Sequence, residues 1–483
     1  MQCHKSLWLH KFRPELRDEI SKAQQALFAG GTEVGIYAQQ LFPNGVTIPY
    51  EGFSLAGQLK RTAAAISEGA ETIYEGAFSH DEVFVKADIL HRHRAKGGRF
   101  DDDHWDIYEV KSSTSQKDVY LDDLAVQYQV LTGAGLSVSR TSIVFINNQY
   151  VRHGAIKVRQ LFTIVDLTEE VLERQPFITE ELGKQKRMLR KRMPTIDIGA
   201  QCENPYTCDF LGHCWSHLPE MSVFGVRGRG LDRFGLYREG VIEQKDIPQE
   251  CLSRDQKIQV ECYLGQTNVI RKDRIREFLQ TLSHPLYFLD FETFMTAVPP
   301  FDGTRPYQQI PFQYSLHWQK KAGSDPLHDE FLASPGEDPR GEIAQRLAET
   351  IPKKACVLAY NAGFEASILR ELSRQYPKYT KELDAIIVSM KDLKEPFKKK
   401  DLYFWQMNGS YSLKAVLPLL VPELTYDCME VSDGGMAMEA YARMCKAEDH
   451  EEIARIRKAL LDYCRLDTLA MMRILEALDR LSA

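Results

Sequence analysis

The sequence predicts a mixed α/β protein that is built from two globular units. In the first half, five stretches rich in Ile, Val and Tyr have the composition of strands, and a helical pattern separates the third from the fourth. After Pro285, predicted strands and helices alternate. The chain has 483 residues, more than a typical single domain, and its hydrophobic content of 43% is sufficient for large cores.

Apolar spacing and turn residues set the expected boundaries. A first helix over 14–28 is expected to end at Gly30-Gly31. The further elements expected in the first half are strands over 72–78, 83–90, 106–111, 141–146 and 162–166, and helices over 118–132 and 168–192. Those expected in the second half are strands over 286–291, 312–318 and 357–360, helices from Arg340 and Phe364, and a final helix over 451–481. The predicted organisation is a domain over 1–215, a helical connector over 216–284 and a domain over 285–483.

Acidic motifs on three elements mark the second half. Asp290 and Glu292 are two residues apart on an apolar strand, so they lie on one face. Tyr463 and Asp467 are four residues apart on a helix and also share a face. Glu365 lies where a helix opens after an apolar strand. Together these carboxylates can hold two Mg²⁺ or Mn²⁺ ions, which prefer hard oxygen ligands.

Two such ions, about 4 Å apart, can flank a scissile phosphate, activate the attacking water and stabilise the leaving oxygen. Asp290 is the expected bridging ligand, while Glu292 binds one ion or orients the water. Glu365 and Asp467 complete the coordination, and Tyr463 hydrogen-bonds the attacking water. The predicted chemistry is phosphodiester hydrolysis.

The Asp-x-Glu strand and the Tyr-x-x-x-Asp helix resemble those of the DnaQ-like exonucleases, in the branch whose last motif is Tyr-x-x-x-Asp. The resemblance covers residues 285–483 and implies an RNase H-like mixed sheet with flanking helices and 3′→5′ exonuclease activity. That family normally has Asp at the position of Glu365. Glutamate is one methylene longer and can still reach a metal, and Asp392 is an alternative contributor.

A second polar group follows the predicted strands of the first half. Asp88 ends one strand, and Glu109 and Lys111 face the same way on a neighbouring strand because they are two residues apart. The two carboxylates can bind a metal, and the Lys111 ammonium can polarise the attacking water or stabilise the phosphorane. Gln127, in the following helix, can position the substrate or Lys111.

This set resembles the PD-(D/E)XK nucleases of the RecB type, which implies a restriction-endonuclease-like core over residues 1–215. Many relatives have an upstream His or Glu, for which Glu75 is the candidate. Their Gln motif carries a Tyr a few residues later, whereas in this chain Tyr128 is adjacent to Gln127.

Cysteines are concentrated just after this core. Cys202, Cys208 and Cys214 are spaced by five intervening residues, and Cys3 lies at the N-terminus. Thiolates are soft ligands that select zinc or iron–sulfur clusters. The remaining six cysteines, one of which is Cys464, are interpreted as ordinary buried thiols.

One N-terminal cysteine plus three after the nuclease core resembles the iron–sulfur nucleases of the RecB type. The resemblance implies a structural 4Fe–4S cluster that joins the N-terminal helix to the segment after the core. A structural Zn²⁺ held by Cys3 and the other three cysteines, or by His213, is the alternative.

Charge and targeting patterns limit the partners. The formal net charge is −7, so nucleic-acid binding would depend on local basic clusters, of which 184–192, 227–233 and 398–400 are candidates. No GxxxxGK[ST] loop is present, so any helicase would be a separate partner. The N-terminus lacks the apolar core of a secretory signal, and we expect a cytoplasmic protein without a membrane partner.

These observations predict a two-nuclease protein that acts on single-stranded DNA, with RNA as an alternative substrate. The resemblances imply a role in bacterial DNA repair, recombination or antiviral defence, with a helicase or another repair or defence protein as partner. Two alternatives stay open. In the first, only one of the two sites is active. In the second, the whole chain is a nucleic-acid-binding subunit.

Overall fold

The computed structural model describes residues 2–50, 54–93 and 103–483. Two units emerge from the contacts within the chain. The first comprises residues 1–215 and 295–308, and the second comprises residues 216–294 and 309–483. Residues 216–284 therefore group with the second unit. Across the described residues, no helix combines the length and the apolarity that crossing a bilayer requires.

The first unit contains a mixed sheet. Its strands in the described part of the chain are β1 (Val46–Thr47), β2 (Thr72–His80), β3 (Val83–His93), β4 (His104–Lys111), β5 (Val138–Ile146) and β6 (Phe162–Asp166). They pair in sequence order; β1 with β2 and β4 with β5 are parallel, and the other pairs are antiparallel. The strands predicted from this part of the sequence are confirmed, and Asp88 lies within β3 rather than at its end.

Helices accompany this sheet in the first unit, and several of them bury apolar side chains against it. They are α1 (His4–Phe12), α2 (Lys22–Gln39), α3 (Leu55–Ser67), α4 (Asp118–Gly133), α5 (Val158–Leu161), α6 (Thr168–Leu189) and α7 (Leu211–Trp215). From α4, the fully buried Leu124 and Leu131 pack in one core with Ile73 and Ile107 of the strands. This packing holds α4 in an orientation in which Gln127 faces β4.

The prediction that a helix ends at Gly30-Gly31 is wrong. Ser21 begins α2 through a capping box with Gln24, and the helix continues through both glycines to Gln39. Each helical glycine costs about 1 kcal/mol relative to alanine. Burial of Val34 and Ala38 beyond the glycines offsets that cost.

A five-stranded mixed sheet forms the centre of the second unit. The strands of this unit are β7 (Asn268–Ile270), β8 (Leu286–Phe294), β9 (Ile310–Gln319), β10 (Leu327–Leu332), β11 (Cys356–Ala359), β12 (Met390–Asp392) and β13 (Leu402–Phe404). The order is β10-β9-β8-β11-β12, with antiparallel pairing on the β9 side of β8 and parallel pairing on the β11 side. β7 and β13 form a separate antiparallel pair.

Helices cover this sheet and carry the remaining functional residues. They are α8 (Arg233–Arg238), α9 (Arg254–Gly265), α10 (Lys272–Leu279), α11 (Arg340–Thr350), α12 (Ala362–Gln375), α13 (Thr380–Ser389), α14 (Glu395–Lys398), α15 (Leu413–Leu420), α16 (Gly434–Lys446) and α17 (His450–Ser482). The long α17 packs against β8 and β9 and buries one face, including Tyr463 and Asp467.

Alternation along β8 explains where its two acids lie. Tyr287, Leu289 and Phe291 belong to one hydrophobic core, whereas Leu286 and Phe288 belong to another that also includes Met471 and Ile474 of α17. Successive strand side chains point to opposite faces. Asp290 and Glu292 therefore lie on the same face of β8 as Leu286 and Phe288, which is the face that α17 covers.

Candidate active sites and a cysteine cluster

Three carboxylates converge where β8 meets α17. Asp290, Glu292 and Asp467 each offer a ligand oxygen, and these oxygens all lie within 4.8 Å of one another. Among the described residues, no other set of three His, Cys, Asp or Glu side chains is grouped this closely. Glu292 and Asp467 are buried, while Asp290 keeps partial solvent access. The structure thus brings the acids of the Asp-x-Glu strand together with Asp467 of the C-terminal helix.

Burial raises the pKa of each of these groups, and repulsion between the carboxylates adds to the rise for Asp290 and Glu292. Burial is the largest cause for Asp290, followed by the charges of Asp467 and Glu292. Burial and then Asp467 likewise raise the pKa of Glu292. The pKa of Asp467 is raised only to about 6, because hydrogen bonds oppose the effect of burial. Carboxyls that are this close hold protons in the absence of a cation, and a divalent ion would replace those protons.

Two phenols act on Asp467. The Tyr426 hydroxyl donates a hydrogen bond to Asp467 Oδ1, and Tyr463 lies close enough to lower the pKa of Asp467 through a hydrogen bond as well. Burial and the neighbouring carboxylates raise the pKa of both phenols, so both remain donors. Tyr463, which the sequence predicts as a partner of the attacking water, is thus directed at Asp467. Tyr426 was not predicted.

Glu365 lies beside the three-carboxylate group but outside its 4.8 Å limit. It is in the first turn of α12 and is almost fully buried, and its Oε2 has no hydrogen-bond partner among the residues that the structure describes. Burial raises its pKa to about 8, and the charge of Asp392 adds to this effect. A buried carboxylate oxygen without a partner is unusual, and a metal or a bound water would satisfy it.

Asp392, the alternative metal ligand to Glu365, hydrogen-bonds the backbone around the start of α12. Its Oδ1 accepts hydrogen bonds from the backbone N–H groups of Asn361 and Lys394, each 3.0 Å long. Asn361 has a left-handed conformation with φ 95°, and these bonds hold it at the start of α12. Asp392 thereby positions the turn that presents Glu365.

Cys464 is not the ordinary buried thiol that the sequence analysis expects. Its Sγ lies 3.6 Å from Asp290 Oδ2, and the residue has no solvent exposure. Burial and the acidic neighbours raise the pKa of the thiol well above its usual value, so it donates weakly to Asp290. Three other cysteines that were expected to be buried, Cys251, Cys428 and Cys445, are exposed.

In the first unit, the predicted Glu-x-Lys pair and glutamine form a connected group. Lys111 Nζ donates to Glu109 Oε1 at 2.9 Å, and Gln127 Nε2 donates to Glu109 Oε2 at 2.7 Å. Lys111 also donates to Asp123 Oδ2 at 2.8 Å, a partner from α4 that was not predicted. Burial lowers the pKa of Lys111, but Glu109 and Asp123 outweigh it, and the net change is upward. Lys111 is therefore a permanent cation.

Asp88 joins the same strand pair through the backbone. Its Oδ2 accepts the Val110 N–H at 2.7 Å, between Glu109 and Lys111. Burial, and then the charge of Glu109, raise its pKa well above the usual value. Glu75, the upstream candidate, forms an ion pair with Lys86 at 2.8 Å. The structure thus places Asp88 close to Glu109, as two ligands of one cation require.

All four predicted cysteine ligands line one cavity. Cys3, Cys202, Cys208 and Cys214 surround it together with polar and apolar side chains, and none of the four forms a disulfide bond within the described part of the chain. Gln2 Nε2 donates to the carbonyls of Gln201 and Tyr206 at 2.6 Å, so the N-terminus is held against the cysteine segment. His213 does not line this cavity.

The spacing of the thiols bears on the choice of metal. Four thiolates around one zinc ion lie about 4 Å apart, since each Zn–S bond is about 2.3 Å long. No three of these sulfurs lie within 4.8 Å of one another. An iron–sulfur cluster holds its cysteines farther apart because each binds a different iron. The four thiols therefore lie farther apart than the ligands of one zinc ion.

Two of the basic clusters offer fewer cations to a phosphate than the sequence suggests, one because of burial and the other because of ion pairs. Lys400 is only 4% exposed and lies 4.1 Å from the centroid of the Tyr403 ring, so it cannot contact a phosphate. In the 184–192 cluster, Lys186 pairs with Asp81 and Arg190 pairs with Glu82.

One family model matches the chain. It is described as a domain of unknown function, DUF2779, and it matches residues 287–412. The matched segment runs from β8 to the residues just before α15, so it contains Asp290, Glu292 and Glu365 but neither Tyr426 nor Asp467. A comparison with curated proteins finds no match.

Proposed function

We propose that the chain is a metal-dependent nuclease that hydrolyses phosphodiesters at the Asp290–Glu292–Asp467 site. The observation that carries this proposal is the grouping of three carboxylates within 4.8 Å at the junction of β8 and α17. Such a group is costly to bury without a cation. Hard oxygen ligands favour Mg²⁺ or Mn²⁺, and the partner-less Glu365 Oε2 offers a further ligand.

When bound, a pair of such ions activates water and stabilises the leaving oxygen. The protein supplies the orientation of the ligands. Tyr426 fixes Asp467, Cys464 contacts Asp290, and Asp392 sets the turn before Glu365. Tyr463 is the second phenol that lies beside Asp467. These contacts hold the carboxylates in place before a cation arrives, which reduces the reorganisation needed for catalysis.

The second unit is proposed to be an RNase H-like, DnaQ-like exonuclease domain over 285–483. Support comes from its mixed five-stranded sheet with flanking helices and from the position of the acids on its central strand. The proposed reaction is 3′→5′ removal of nucleotides from single-stranded DNA, with RNA as the alternative substrate.

The first unit is proposed to be a RecB-type PD-(D/E)XK nuclease domain with a structural 4Fe–4S cluster. Support comes from the Gln127–Glu109–Lys111 hydrogen bonds, from Asp88 beside Glu109, and from the cavity that the cysteines share. The ion pair of Lys111 with Asp123 favours a second candidate, in which this site binds nucleic acid and only the second unit cuts.

The proposed setting is the bacterial cytoplasm, in DNA repair, recombination or antiviral defence, with a helicase as a candidate partner. This setting is an inference from the family resemblances. A chain that binds nucleic acid but never cuts it would instead be a binding subunit of a larger nuclease.

The test is cleavage of end-labelled single-stranded DNA and RNA in Mn²⁺ or Mg²⁺. Wild type is compared with Asp290→Ala, Lys111→Ala and the double variant, and Asp462→Ala on the exposed side of α17 is the control. If each single variant loses a distinct part of the product ladder, both sites cut. Loss of all products in Asp290→Ala alone assigns cutting to the second unit. Binding without cleavage under either metal contradicts the proposal.

A further inference from the structure

Two lysines and a tyrosine lie at the edge of the carboxylate site. Lys394 follows β12, Tyr411 precedes α15, and Lys414 is in the first turn of α15. We refer to Lys394, Tyr411 and Lys414 as the rim. Lys394 Nζ lies 5.9 Å from the centroid of the Tyr411 ring, so the first two members are neighbours in space.

Lys414 connects the rim to the acids. Its Nζ lies 5.6 Å from the ring centroid of Tyr426 and 5.8 Å from that of Tyr463, the two phenols beside Asp467. Its charge lowers the pKa of both Glu292 and Asp467, which also indicates proximity. Lys394 is placed similarly on the other side, since its charge lowers the pKa of Glu365.

Within the described part of the chain, no carboxylate forms a direct ion pair with either ammonium. Lys394 Nζ donates to the side-chain oxygen of Asn361 at 2.7 Å, an uncharged partner. Lys414, whose side chain is exposed, has no carboxylate within 4.0 Å among the described residues. Many other surface lysines of this chain do form ion pairs with carboxylates; Lys458, for example, pairs with Asp462. Two unpaired cations beside an acidic site are suited to bind an anion that extends from it.

Tyr411 offers an aromatic surface beside Lys394, three residues before Lys414 in the chain. Its backbone carbonyl accepts a hydrogen bond from the Tyr360 hydroxyl at 2.8 Å, which fixes this part of the chain, while 36% of the residue is exposed. An exposed ring close to lysines has the composition of a single-strand binding surface, where bases stack and cations contact the backbone.

We propose that the rim is a binding subsite for the nucleotide adjacent to the scissile bond of a single-stranded nucleic acid. Lys394 and Lys414 bind its flanking phosphates, and Tyr411 stacks on its base. A base inside a duplex is stacked on both faces by the neighbouring base pairs, so the subsite selects unpaired ends. This inference rests on the proposed function, because it takes the carboxylate site as the place of cleavage.

The phosphate contacts are tested by binding, without cleavage. Fluorescence anisotropy with a labelled oligothymidylate in EDTA gives the Kd and its salt dependence for wild type and for the Lys394→Ala/Lys414→Ala variant. Each lost phosphate contact on a single strand reduces the slope of log K against log salt by about 0.7, so we expect a loss of about 1.4. Lys391→Ala, an exposed lysine three residues before Lys394, is the control and should leave the slope unchanged.

If the double variant has the same Kd and the same salt slope as the control, the proposed phosphate contacts are wrong. They are also wrong if wild type binds no oligonucleotide. Because this assay needs no hydrolysis, a protein that shows the slope change but never cuts contradicts the proposed nuclease activity only. A protein that cuts normally with an unchanged slope contradicts the rim only.

Stacking is tested with oligonucleotides that carry one abasic residue at each of the last three 3′ positions. Wild type should lose about tenfold in affinity at one position, because a stacked base contributes about 1–3 kcal/mol. Tyr411→Ala should show no further loss with that abasic strand, and Tyr411→Phe should behave like wild type. If Tyr411→Ala lowers the affinity, relative to wild type, by the same factor for the intact strand and for every abasic strand, Tyr411 does not stack on a base.

Discussion

The Tyr426 hydroxyl donates a hydrogen bond to Asp467 Oδ1, although 41 residues separate them in the chain. The contact brings the loop before α16 onto the buried face of α17. It stabilises the ionised form of a carboxyl group whose pKa burial otherwise raises. Tyr426 therefore keeps the pKa of Asp467 lower than burial alone would make it.

Replacing Tyr426 with Phe should make metal binding more dependent on pH. Without the donor, the pKa of Asp467 rises above about 6, so a smaller fraction is ionised at neutral pH. The Mn²⁺ concentration that gives half-maximal cleavage should increase severalfold at pH 6.5 and approach the wild-type value at pH 8.5. Tyr379→Phe, a tyrosine elsewhere in the second unit, is the control. An equal increase at both pH values would indicate a packing defect.

Metal-free protein should lose stability as the pH rises. The folded-state pKa values of Glu365 and of the grouped acids exceed the unfolded ones, so the folded chain holds more protons between about pH 4.5 and 8. The free energy of unfolding then falls with pH through this window. A group whose folded pKa lies one pH unit above its unfolded pKa contributes a loss of about 1.4 kcal/mol once it is fully ionised. Thermal melting in EDTA at pH 5.5 and 8.5 measures the loss.

Mn²⁺ should restore the stability at pH 8.5, because it binds the ionised groups in the folded state. Glu365→Gln should flatten the pH dependence, since the amide does not titrate. If wild type and Glu365→Gln melt with the same pH dependence in EDTA, Glu365 does not have the raised pKa that its burial implies.

Much of the carboxylate site could be predicted from the sequence because local periodicity sets it. A period of two places Asp290 and Glu292 on one face of β8, and a period near four places Tyr463 and Asp467 on one face of α17. Tyr426, Cys464 and Lys414 were missed, since a loop, an ordinary-looking helix position and a short helix gave no periodic signal. Their roles depend on tertiary packing alone.

The same distinction explains the errors elsewhere. A Gly-Gly pair such as Gly30-Gly31 ends a helix reliably only when the residues after it are not buried in a core. In this chain Val34, which follows the pair, is fully buried. Lys400 belongs to a run of three lysines, but a positive φ of 57° accompanies its inward position, which composition cannot show. Asp123 could have been proposed from its place one turn before Gln127 on α4, on the side facing β4.

Lys111→Ala should destabilise the first unit as well as remove its cleavage products. Glu109 is buried and would lose the cation at 2.9 Å, while Asp123 would lose its partner as well. Leaving a buried carboxylate without its cation typically costs about 3 kcal/mol. Urea unfolding measures this change, and Lys86→Ala, which breaks the more exposed pair with Glu75, is the control. A variant as stable as wild type would show that the Lys111 pairs contribute nothing to folding.

The cysteine cavity should contain iron. Protein purified without oxygen should be brown, absorb near about 400 nm and carry about four irons per chain. Cys208→Ser should lose the colour and make the N-terminal helix more sensitive to protease, since the cluster would join α1 to the cysteine segment. Cys251→Ser, at an exposed cysteine, should change neither property. A colourless protein with one zinc per chain would contradict the cluster assignment.

The most direct test of the central claim is anomalous diffraction from crystals soaked in Mn²⁺. We predict manganese peaks within bonding distance of Asp290, Glu292 and Asp467, and their loss in crystals of Asp290→Asn. A well-ordered carboxylate site without manganese in wild-type crystals, at a concentration that supports cleavage in solution, would show that these acids are not the metal ligands.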